Sequence, residues 1–491
     1  LDVTEFSSAP IRMKDPGRSI TRRQALEKLG KTVAGLSVAP ALNLAACSRS
    51  RADADVIVVG AGLAGLNAAI NLQDAGLDVL VLEASRRVGG RVFTVDELPG
   101  RPESGGSEIG SDYARVLDMI RRIGAPETAK WLEIADLRMC MNVAGRNITM
   151  ADWPGAAENR LAPAERKVPP IALTPLFMPG ESPLADLSSW LETDARQYDV
   201  PFGSYLRGRG ASDEALRLIA AQSPADALDG VSALWKLHRQ RFESNGGGVN
   251  GLIRIKAGAS RLPEGMAGLL DREIRFGAEI VGISTARDIV EVTDRSGTTH
   301  RAPYAVCAVP LTMARRIRFE PALPELQAEA CRETPQGHAT SVFFHVVKPY
   351  WEEDGFPAGM WSDTLAGWVL RYRSDDGDYL WVFKDGPNNK AWRTMNDADI
   401  MRDALSDLNE LRPSTVGCIE PTGVVNWSRY PWLMGGNDYR APGDITRYGN
   451  VTAQPHGRIH FAGVHTAVMM MGMEGAMESG ERAALEILLR R

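Results

Sequence analysis

The sequence of 491 residues contains few residues that usually bind metals. It has 5 cysteines and 7 histidines. The cysteines are widely scattered, show no CxxC spacing and are odd in number, which argues against both a metal site and a disulfide framework. We therefore expect neither a bound metal nor a disulfide-stabilised fold.

Long apolar runs and excess positive charge are also absent. Outside the N-terminal region no apolar run reaches 18 residues, so we expect no membrane-spanning helix there. The net charge is −6, which offers no basic surface for nucleic acid. With 44% hydrophobic and 24% charged residues, the composition is typical of a globular protein long enough for two domains.

The most informative part of the sequence is a glycine-rich stretch, residues 55–91. The apolar run Val56 to Val59 is short enough for one buried strand, and the loop Gly60-Ala61-Gly62-Leu63-Ala64-Gly65 follows at once. A helical stretch to about Ala75 and a second apolar run ending on Glu83 come next. The order of strand, glycine turn, helix, strand and acid predicts a dinucleotide-binding βαβ unit.

Each residue type in this unit has a physical role. Gly60 permits the tight turn, Gly62 lets the backbone approach a pyrophosphate, and Gly65 lets the helix pack closely on the strand. The helix N-terminus presents free N–H groups to the phosphates, and the Glu83 carboxylate can accept hydrogen bonds from ribose hydroxyls. The unit alone does not distinguish NAD from FAD.

The continuation favours FAD. Residues 83–91, Glu-Ala-Ser-Arg-Arg-Val-Gly-Gly-Arg, resemble the E-A-x-x-R-x-G-G-R signature of the flavin monoamine oxidase family, which includes amine, polyamine and L-amino-acid oxidases. In that family the glycine pair and its arginine contact the FAD pyrophosphate. The resemblance assigns the following residues to the cofactor: Gly60, Gly62, Ala64, Gly65, Glu83, Ala84, Arg86, Gly90 and Arg91.

Three later segments resemble the family in the same order. Residues 103–110 resemble the E/D-x-G-G segment that passes beneath the flavin. Residues 256–263 resemble G-G-x-x-x-L-P, which begins a helix, and residues 274–283 resemble the following strand, whose backbone contacts the adenine. The cofactor residues implied are Gly105, Gly106, Ser107 and Ile280.

The C-terminal segments also resemble the family. Residues 426–436 resemble W-x-x-x-P-x-x-x-G-S beside the flavin ring, and residues 460–466 resemble F-A-G-E-x-T. Residues 472–484 resemble a helix whose N-terminus stabilises negative charge at the flavin N1–C2=O edge. The cofactor residues implied are Trp427, Gly463, Val464, Gly472, Met473 and Ala476.

The sequence departs from the family at the substrate side. The lysine that holds a water near flavin N5 in most members is replaced by Ser341, whose hydroxyl brings no positive charge. In place of an aromatic cage stands Val468-Met469-Met470-Met471, from which we expect a soft apolar wall that includes Met471. Tyr430, Trp432 or Tyr439 is expected to supply a ring.

Two further departures concern FAD itself. Asn437 lies where some members have the cysteine that tethers the flavin, so we expect non-covalent FAD. Val464 replaces the acid of F-A-G-E, which removes one polar contact to the cofactor.

These patterns predict a two-domain α/β fold. The expected Rossmann-type FAD-binding domain comprises residues 54–130, 246–319 and 416–491. An α+β substrate-binding domain comprises residues 131–245 and 320–415.

Local patterns within the substrate-binding domain predict its main elements. Residues 188–197 and 213–222 are expected to be helical, and residues 341–346 to form a strand. A β-rich sheet should contain five aromatic residues as packing more than as a substrate cage: Trp361, Trp368, Tyr372, Tyr379 and Trp381.

The implied function is an FAD-dependent amine oxidase. A hydride passes from the amine α-carbon to flavin N5, the imine is hydrolysed, and O2 is reduced to H2O2. The alternatives are a dehydrogenase that uses a cytochrome or quinone, a C–C desaturase, and a non-catalytic flavin-binding sensor. The methionine wall favours a bulky apolar amine, while Arg371 and Arg429 keep an α-amino acid open. We also expect a homodimer.

Residues 1–53 resemble an export segment. Thr21-Arg22-Arg23-Gln24-Ala25-Leu26 is similar to a twin-arginine signal, a moderately apolar stretch follows, and Leu44-Ala45-Ala46-Cys47 is similar to a lipobox. We expect a periplasmic protein, with membrane anchoring if Cys47 is lipidated. The alternative is a cytoplasmic protein with an uncleaved amphipathic N-terminal helix.

N-terminal sequencing of the protein from its native host tests the export hypothesis. Export with lipidation gives a chain that starts at Cys47 and carries the mass of a lipid. An intact N-terminal segment on protein from the cytoplasm would exclude export.

Overall fold

The computed structural model describes residues 52–125, 127–245, 251–364, 367–374, 377–436 and 438–491. The predicted export segment and the glycine run 246–248 lie outside these residues. The strands are β1 (Val56–Val59), β2 (Val79–Glu83), β3 (Phe93–Thr94), β4 (Glu103–Gly105), β5 (Thr128–Lys130), β6 (Ala135–Asp136), β7 (Met139–Val143), β8 (Arg146–Ile148), β9 (Ile253–Ile255), β10 (Arg275–Phe276), β11 (Ile280–Ala286), β12 (Ile289–Asp294), β13 (Thr299–Ala302), β14 (Tyr304–Cys307), β15 (Arg318–Glu320), β16 (Ala339–Val346), β17 (Gly359–Ser362), β18 (Trp368–Tyr372), β19 (Tyr379–Asp385), β20 (Ile419–Asn426) and β21 (Ile459–Phe461). The α-helices are α1 (Leu63–Asp74), α2 (Ala114–Arg122), α3 (Trp131–Ile134), α4 (Leu173–Phe177), α5 (Phe202–Gly208), α6 (Asp213–Ala220), α7 (Ala233–Asn245), α8 (Arg261–Gly268), α9 (Leu311–Ala314), α10 (Glu325–Glu333), α11 (Trp351–Asp354), α12 (Asp397–Leu411), α13 (Asp444–Tyr448) and α14 (Gly472–Leu488).

A parallel sheet in the order β10-β2-β1-β14-β21 forms the centre of the cofactor side. Strand β1 is buried along its whole length, as a parallel strand covered on both faces must be. Helices α1, α2, α8 and α14 supply the apolar core on one face, and the antiparallel strands around β11 and β12 supply it on the other. The sheet therefore collects strands that are far apart in the sequence, as the predicted Rossmann-type fold requires.

A second sheet of eight strands forms the other half of the molecule. Seven strands follow the order β20-β16-β19-β18-β17-β7-β8, and the eighth, β6, pairs with β18. The sheet contains the predicted strand 341–346, within β16, and four of the five predicted aromatic residues lie in β18 and β19, with Trp361 in β17. Strand β20 lies in this sheet beside β16, although its sequence belongs to the segment that we assigned to the FAD-binding domain. The domain boundaries themselves stay a prediction.

Two predicted elements differ from the structure. Residues 188–197 form two short 3-10 helices, Ser189–Leu191 and Thr193–Tyr198, rather than one α-helix. The Asp186 carboxylate accepts the backbone N–H groups of Ser188 and Ser189 at 2.7 and 2.9 Å, a local bond that competes with helix formation. The predicted helix at 213–222 is present as α6.

The predicted strand 274–283 is divided at Gly277, whose φ is +75°. Its first part, β10, pairs with β2 in the parallel sheet. Its second part, β11, forms an antiparallel hairpin with β12. The left-handed conformation of Gly277 turns the chain, so the two parts of one apolar run join different sheets.

Among the residues that the structure describes, no helix combines the length and the apolar character that crossing a membrane requires. In the same residues, no group of three potential ligands is placed to hold a metal ion. Cys140, Cys307, Cys331 and Cys418 are buried free thiols.

A buried ion pair fixes α12 beneath the eight-stranded sheet. Lys384 Nζ lies 2.9 Å from Asp407 Oδ2 and 3.7 Å from the centre of the Trp392 ring. The exposed fractions of the two charged side chains are 2% and 9%. Removal of either partner leaves an uncompensated charge in an apolar layer.

We expect Asp407→Ala to lower the free energy of unfolding by about 3–5 kcal/mol, because Lys384 would remain buried without a partner. The double variant Lys384→Met, Asp407→Leu should recover most of that loss. Arg402→Ala, which breaks an exposed ion pair on the same helix, is the matched control and should change stability by less than about 1 kcal/mol. Urea unfolding of the three variants measures these differences; equal losses for Asp407→Ala and Arg402→Ala would contradict the argument.

Candidate functional site

The glycine loop between β1 and α1 forms the first wall of the site. Gly60 has a φ of +103°, and a Cβ at Gly65 would lie 1.9 Å from the Gly60 carbonyl oxygen. A Cβ at Gly62 would meet no atom within 4 Å. The roles predicted for Gly60 and Gly65 thus have a visible cause, and the space beside Gly62 is open.

The N-terminus of α1 carries the partial charge that phosphates require. Its N-cap, Gly62, provides no side-chain hydrogen bond, and no acidic residue lies in its first turn. The helix therefore keeps its free N–H groups and positive dipole end for an anionic group. Together with the open space at Gly62, this fits the pyrophosphate of a dinucleotide.

Glu83 lies at the tip of β2, beside this loop. Its Oε2 accepts the Ala61 N–H at 2.7 Å, and its Oε1 accepts the Ser85 N–H at 2.8 Å. The carboxylate is half-buried and each oxygen keeps a lone pair. It can accept further hydrogen bonds from the hydroxyls of a ribose.

Arg87, which we did not assign, holds the second glycine loop together. Its guanidinium donates to the carbonyl oxygens of Gly90 and Val92 at 2.6 and 3.2 Å and to the Tyr430 hydroxyl at 2.8 Å. Arg86, which we did assign, is exposed. The fifth position of the E-A-x-x-R pattern falls on Arg87, so the sequence contained the signal.

The E/D-x-G-G segment and the C-terminal segment meet at this loop. A Cβ at Gly105 would lie 2.4 Å from the Arg91 carbonyl oxygen and 3.4 Å from the Trp427 ring. The Arg91 guanidinium donates to the Gly436 carbonyl oxygen and lies 3.4 Å from Asp438. Residues predicted from three distant motifs therefore share one region, in which Gly106 has a φ of +72° and Ser107 is buried.

Asp438 is a second residue that the sequence did not indicate. Burial alone would raise its pKa, but the positive charge of Arg91 holds the pKa below its usual value. Asn437, beside it, lies outside the described residues. The charge of Asp438 is thus maintained next to the arginine predicted to contact FAD.

The helix α14 supplies the opposite wall. A Cβ at Gly480 would lie 2.2 Å from the Ala64 carbonyl oxygen, so α14 packs directly on α1. Gly463 precedes it with a φ of +130° and donates its N–H to Ser479 Oγ at 2.8 Å. Val464 and Ala476, also assigned to the cofactor, are half-buried.

The N-terminus of α14 is likewise free of a side-chain cap. Met471 is its N-cap, Gly472 is exposed, and Met473 is buried in the core. The acid of the first turn, Glu474, instead accepts the Arg115 and Val116 N–H groups of α2, each at 3.0 Å. This arrangement fits the negative edge of a reduced flavin ring.

Ser341 faces the cofactor side of the eight-stranded sheet. It is fully buried, and its Oγ accepts the indole N–H of Trp381 at 2.9 Å. It shares a face with Ala339 and Phe343, which pack in the same apolar cluster as Trp427. The lysine on the neighbouring strand, Lys384, pairs with Thr340 and lies on the opposite face.

Half-buried side chains continue this face along β18 and β19. Trp368, Trp381 and Phe383 are partly exposed, and the last two rings are 5.1 Å apart. We predicted packing for Trp368 and Trp381, and their exposed edges leave them able to contact a substrate as well.

Asp385 ends this row and is electrostatically coupled to Lys236. Burial raises the pKa of Asp385 to about 7, and the nearby lysine opposes the shift. Burial lowers the pKa of Lys236 to about 8. This end of the face therefore contains two groups that can titrate near neutral pH.

The ring candidates Tyr430 and Trp432 lie in different places: Tyr430 packs against the same apolar cluster as Ala339 and Phe343, whereas Trp432 lies at Glu279. Tyr430 accepts the hydrogen bond from Arg87, and its ring is 5.3 Å from that of Trp427. Trp432 has a φ of +60°. Hydrogen bonds hold the pKa of Glu279 below its usual value; the larger effect comes from Arg295 and a smaller one from Trp432. Trp432 thus lies beside Ile280, the residue expected near the adenine.

One histidine pair has the HxxxH spacing of a metal site. His456 Nε2 lies 2.9 Å from the Pro321 carbonyl oxygen. His460 Nδ1 lies 2.7 Å from Glu486. The two rings have separate protein partners.

Comparison with known proteins agrees with this geometry. Residues 63–488 match the family described as Flavin containing amine oxidoreductase. The flavin-containing amine oxidase B of Homo sapiens is 28% identical over 467 residues, which cover 88% of this chain and 86% of the human protein. The flavin-containing amine oxidase of Danio rerio is 28% identical over 460 residues, with 88% and 85% covered.

Solved structures give the same result for the fold. Cyclohexylamine oxidase from Brevibacterium oxydans superposes with a TM-score of 0.74 at 25% identity, covering 89% of this chain and all of that one. Putrescine oxidase bound to putrescine superposes with a TM-score of 0.73 at 23% identity. The family match spans most of the chain and contains the aromatic sheet and α14. The chain belongs to the flavin-containing amine oxidoreductase family.

Proposed function

We propose that the protein is an FAD-dependent amine oxidase whose substrates are bulky apolar amines. The observation that carries the proposal is the pair of uncapped helix N-termini, α1 and α14, on one site that also contains the glycine loops. Bound FAD would supply the two-electron acceptor. The amine loses a hydride from its α-carbon, water hydrolyses the resulting imine to a carbonyl compound and ammonia or a smaller amine, and O2 is reduced to H2O2.

The residues of the chain position and shield the reactants. The backbone around Gly62 and Gly90 and the Glu83 carboxylate would hold the dinucleotide, and α14 would face the flavin ring. The sheet face around Ser341 would enclose the amine and keep water away from it. Holding both reactants in one orientation is the main contribution that we assign to the protein.

The substrate class follows from the charges near the site. Arg371 is paired with Asp378, and Arg429 with Asp397. Neither arginine is therefore free to bind the carboxylate of an α-amino acid. The methionines before α14 and the aromatic edges of β18 and β19 favour an apolar substituent.

FAD is proposed to bind without a covalent link. The position of the family's tethering cysteine corresponds to Asn437. The four described cysteines are buried, and burial raises the pKa of Cys140 and Cys331 to about 11, so their thiols are protonated and unreactive.

A dehydrogenase remains the second candidate, and Ser341 is the reason. Its hydroxyl oxygen already accepts the Trp381 N–H, and the site offers no lysine on this strand to stabilise developing negative charge on oxygen. Electrons would then pass to another carrier. The two candidates differ only in the oxidative half-reaction.

Substitution of two glycines tests the cofactor site. Gly62→Ala should fold normally, because its Cβ meets no atom, but should bind FAD at least about tenfold more weakly. Gly65→Ala should destabilise the fold itself, because its Cβ would overlap the Gly60 carbonyl oxygen. Flavin released by acid precipitation and urea unfolding of the apoprotein measure the two effects, and FAD binding by Gly62→Ala equal to that of the wild type would contradict the assignment.

The two half-reactions test the function. Cyclohexylamine, mixed anaerobically with the FAD-loaded enzyme, should bleach the visible flavin band faster than putrescine does. Air-saturated buffer should then restore the band at least as fast as turnover and release one peroxide for each amine. Reoxidation slower than turnover would favour the dehydrogenase, and no bleaching by any amine would exclude both.

Substitution of Ser341 by lysine tests whether the missing positive charge limits the reaction with O2. Ser341→Lys should accelerate reoxidation by about tenfold or more, since tenfold corresponds to only 1.4 kcal/mol in the barrier. Ser341→Ala, which removes the hydroxyl without adding charge, is the matched control. An equal reoxidation rate in the two variants, both retaining FAD, would show that charge at this position does not limit the reaction with O2.

A further inference from the structure

The segment Val468–Met471, the methionine segment, connects the strand-end loop at Gly463 to α14. Met469 is 42% exposed, while Met470 and Met471 are half-buried. Met471 is both the N-cap of α14 and a contact of an apolar cluster on the substrate side. Three thioether side chains are therefore presented at the free N-terminus of α14.

A single carboxylate organises the backbone of this segment. Glu478 Oε1 accepts the N–H groups of Val468 and Met469 at 2.9 and 3.2 Å, and Oε2 accepts that of Met470 at 2.8 Å. The side chain projects from the second turn of α14 and is 9% exposed. Three consecutive amides thus share one buried anion, an arrangement of charge-assisted hydrogen bonds.

The opposite side of the segment is held by the substrate-side residues. The Trp190 indole N–H donates to the Val468 carbonyl oxygen at 2.7 Å. Trp190 in turn stacks on His238 of α7, with ring centres 4.7 Å apart and an angle of 15°. The methionine segment is therefore fixed both to α14 and to the helix α7.

This bonding fixes the backbone that carries the methionine side chains. The N–H groups of Val468, Met469 and Met470 are all directed at the Glu478 carboxylate. Methionine is flexible and shapes an apolar surface only if its backbone is fixed. A neutral amide at 478 could not replace the carboxylate, because its NH2 group would face N–H donors.

We propose that Glu478 is a positioning residue that fixes the methionine segment and thereby sets the preference of the enzyme for bulky apolar amines. The selectivity part rests on the proposed function, because the segment contacts a substrate only if an amine binds at this site. Glu478 itself touches neither the reacting atoms nor the cofactor.

The first test compares Glu478→Gln with the wild type, both loaded with FAD. The ratio of kcat/KM for cyclohexylamine to kcat/KM for ethylamine should fall about tenfold, mainly through KM of the larger amine, while FAD content is unchanged. Glu481→Gln is the matched control: it lies one turn further on α14, is paired with Arg115 at the surface, and should leave the ratio unchanged.

A second variant keeps the proposal testable if Glu478→Gln does not fold. Trp190→Phe retains an aromatic ring beside His238 and removes the N–H group bonded to Val468, together with part of the indole volume. It should lower the same ratio in the same direction. Hydrogen exchange measured on the peptide that contains residues 467–471 should be faster in both variants, a readout that does not depend on catalysis.

The outcomes separate the two proposals. Unchanged exchange at residues 468–470, or an unchanged ratio in an active, FAD-loaded Glu478→Gln, overturns the role of Glu478 and leaves the oxidase assignment intact. An equal loss for both amines also overturns it, because the effect would then be general. A wild-type enzyme that oxidises no amine overturns the proposed function, and the selectivity claim with it.

Discussion

The structure depends on two contacts that only glycine permits. Helix α1 lies against β1 because Gly65 has no side chain to strike the Gly60 carbonyl oxygen, and α14 lies against α1 because Gly480 leaves room for the Ala64 carbonyl oxygen. Each contact brings backbone against backbone, so even a methyl group would separate the elements. The two helix N-termini that flank the cofactor site are positioned by this stacking. Loss of either glycine would therefore move a binding surface and not merely loosen a core.

The carboxylates of α14 extend this framework to the remainder of the site. Glu474 accepts amides at the start of α2, Glu478 accepts amides of the methionine segment, and Glu486 bonds His460 next to the parallel sheet. In each case the hydrogen bonds that the carboxylate accepts offset part of the cost of burying it. Hydrogen bonds to the carboxylates of one helix thus hold three neighbouring segments in place.

The sequence allowed the general fold and the place of the site to be predicted, because glycine loops and apolar runs act locally. Gly60 and Gly65 have the roles that their spacing indicated, and the family resemblance located Arg91, Gly105 and Trp427, which the structure brings together. The strand at 274–283 was wrong in one respect, because Gly277 adopts a left-handed conformation that no apolar pattern reports.

The partners of side chains could not be predicted in this way. Nothing near Glu478 in the sequence shows that three amides of a preceding loop will turn toward it. The motif spacing points to Arg87 and not to Arg86, but only the folded loop shows which carbonyl oxygens and which hydroxyl Arg87 bonds. Trp381 and Ser341 are 40 residues apart, and their hydrogen bond depends on the register of two strands.

Ser341 stands in a strand that is bonded on both sides, to β19 and to β20, over most of its length. The backbone at this position is consequently insensitive to the side chain that it carries. On the proposed function, a change of residue there alters the reaction with the electron acceptor and leaves the strand in its place between β19 and β20. The electron acceptor can thus change during evolution while the sheet on the substrate side keeps its fold.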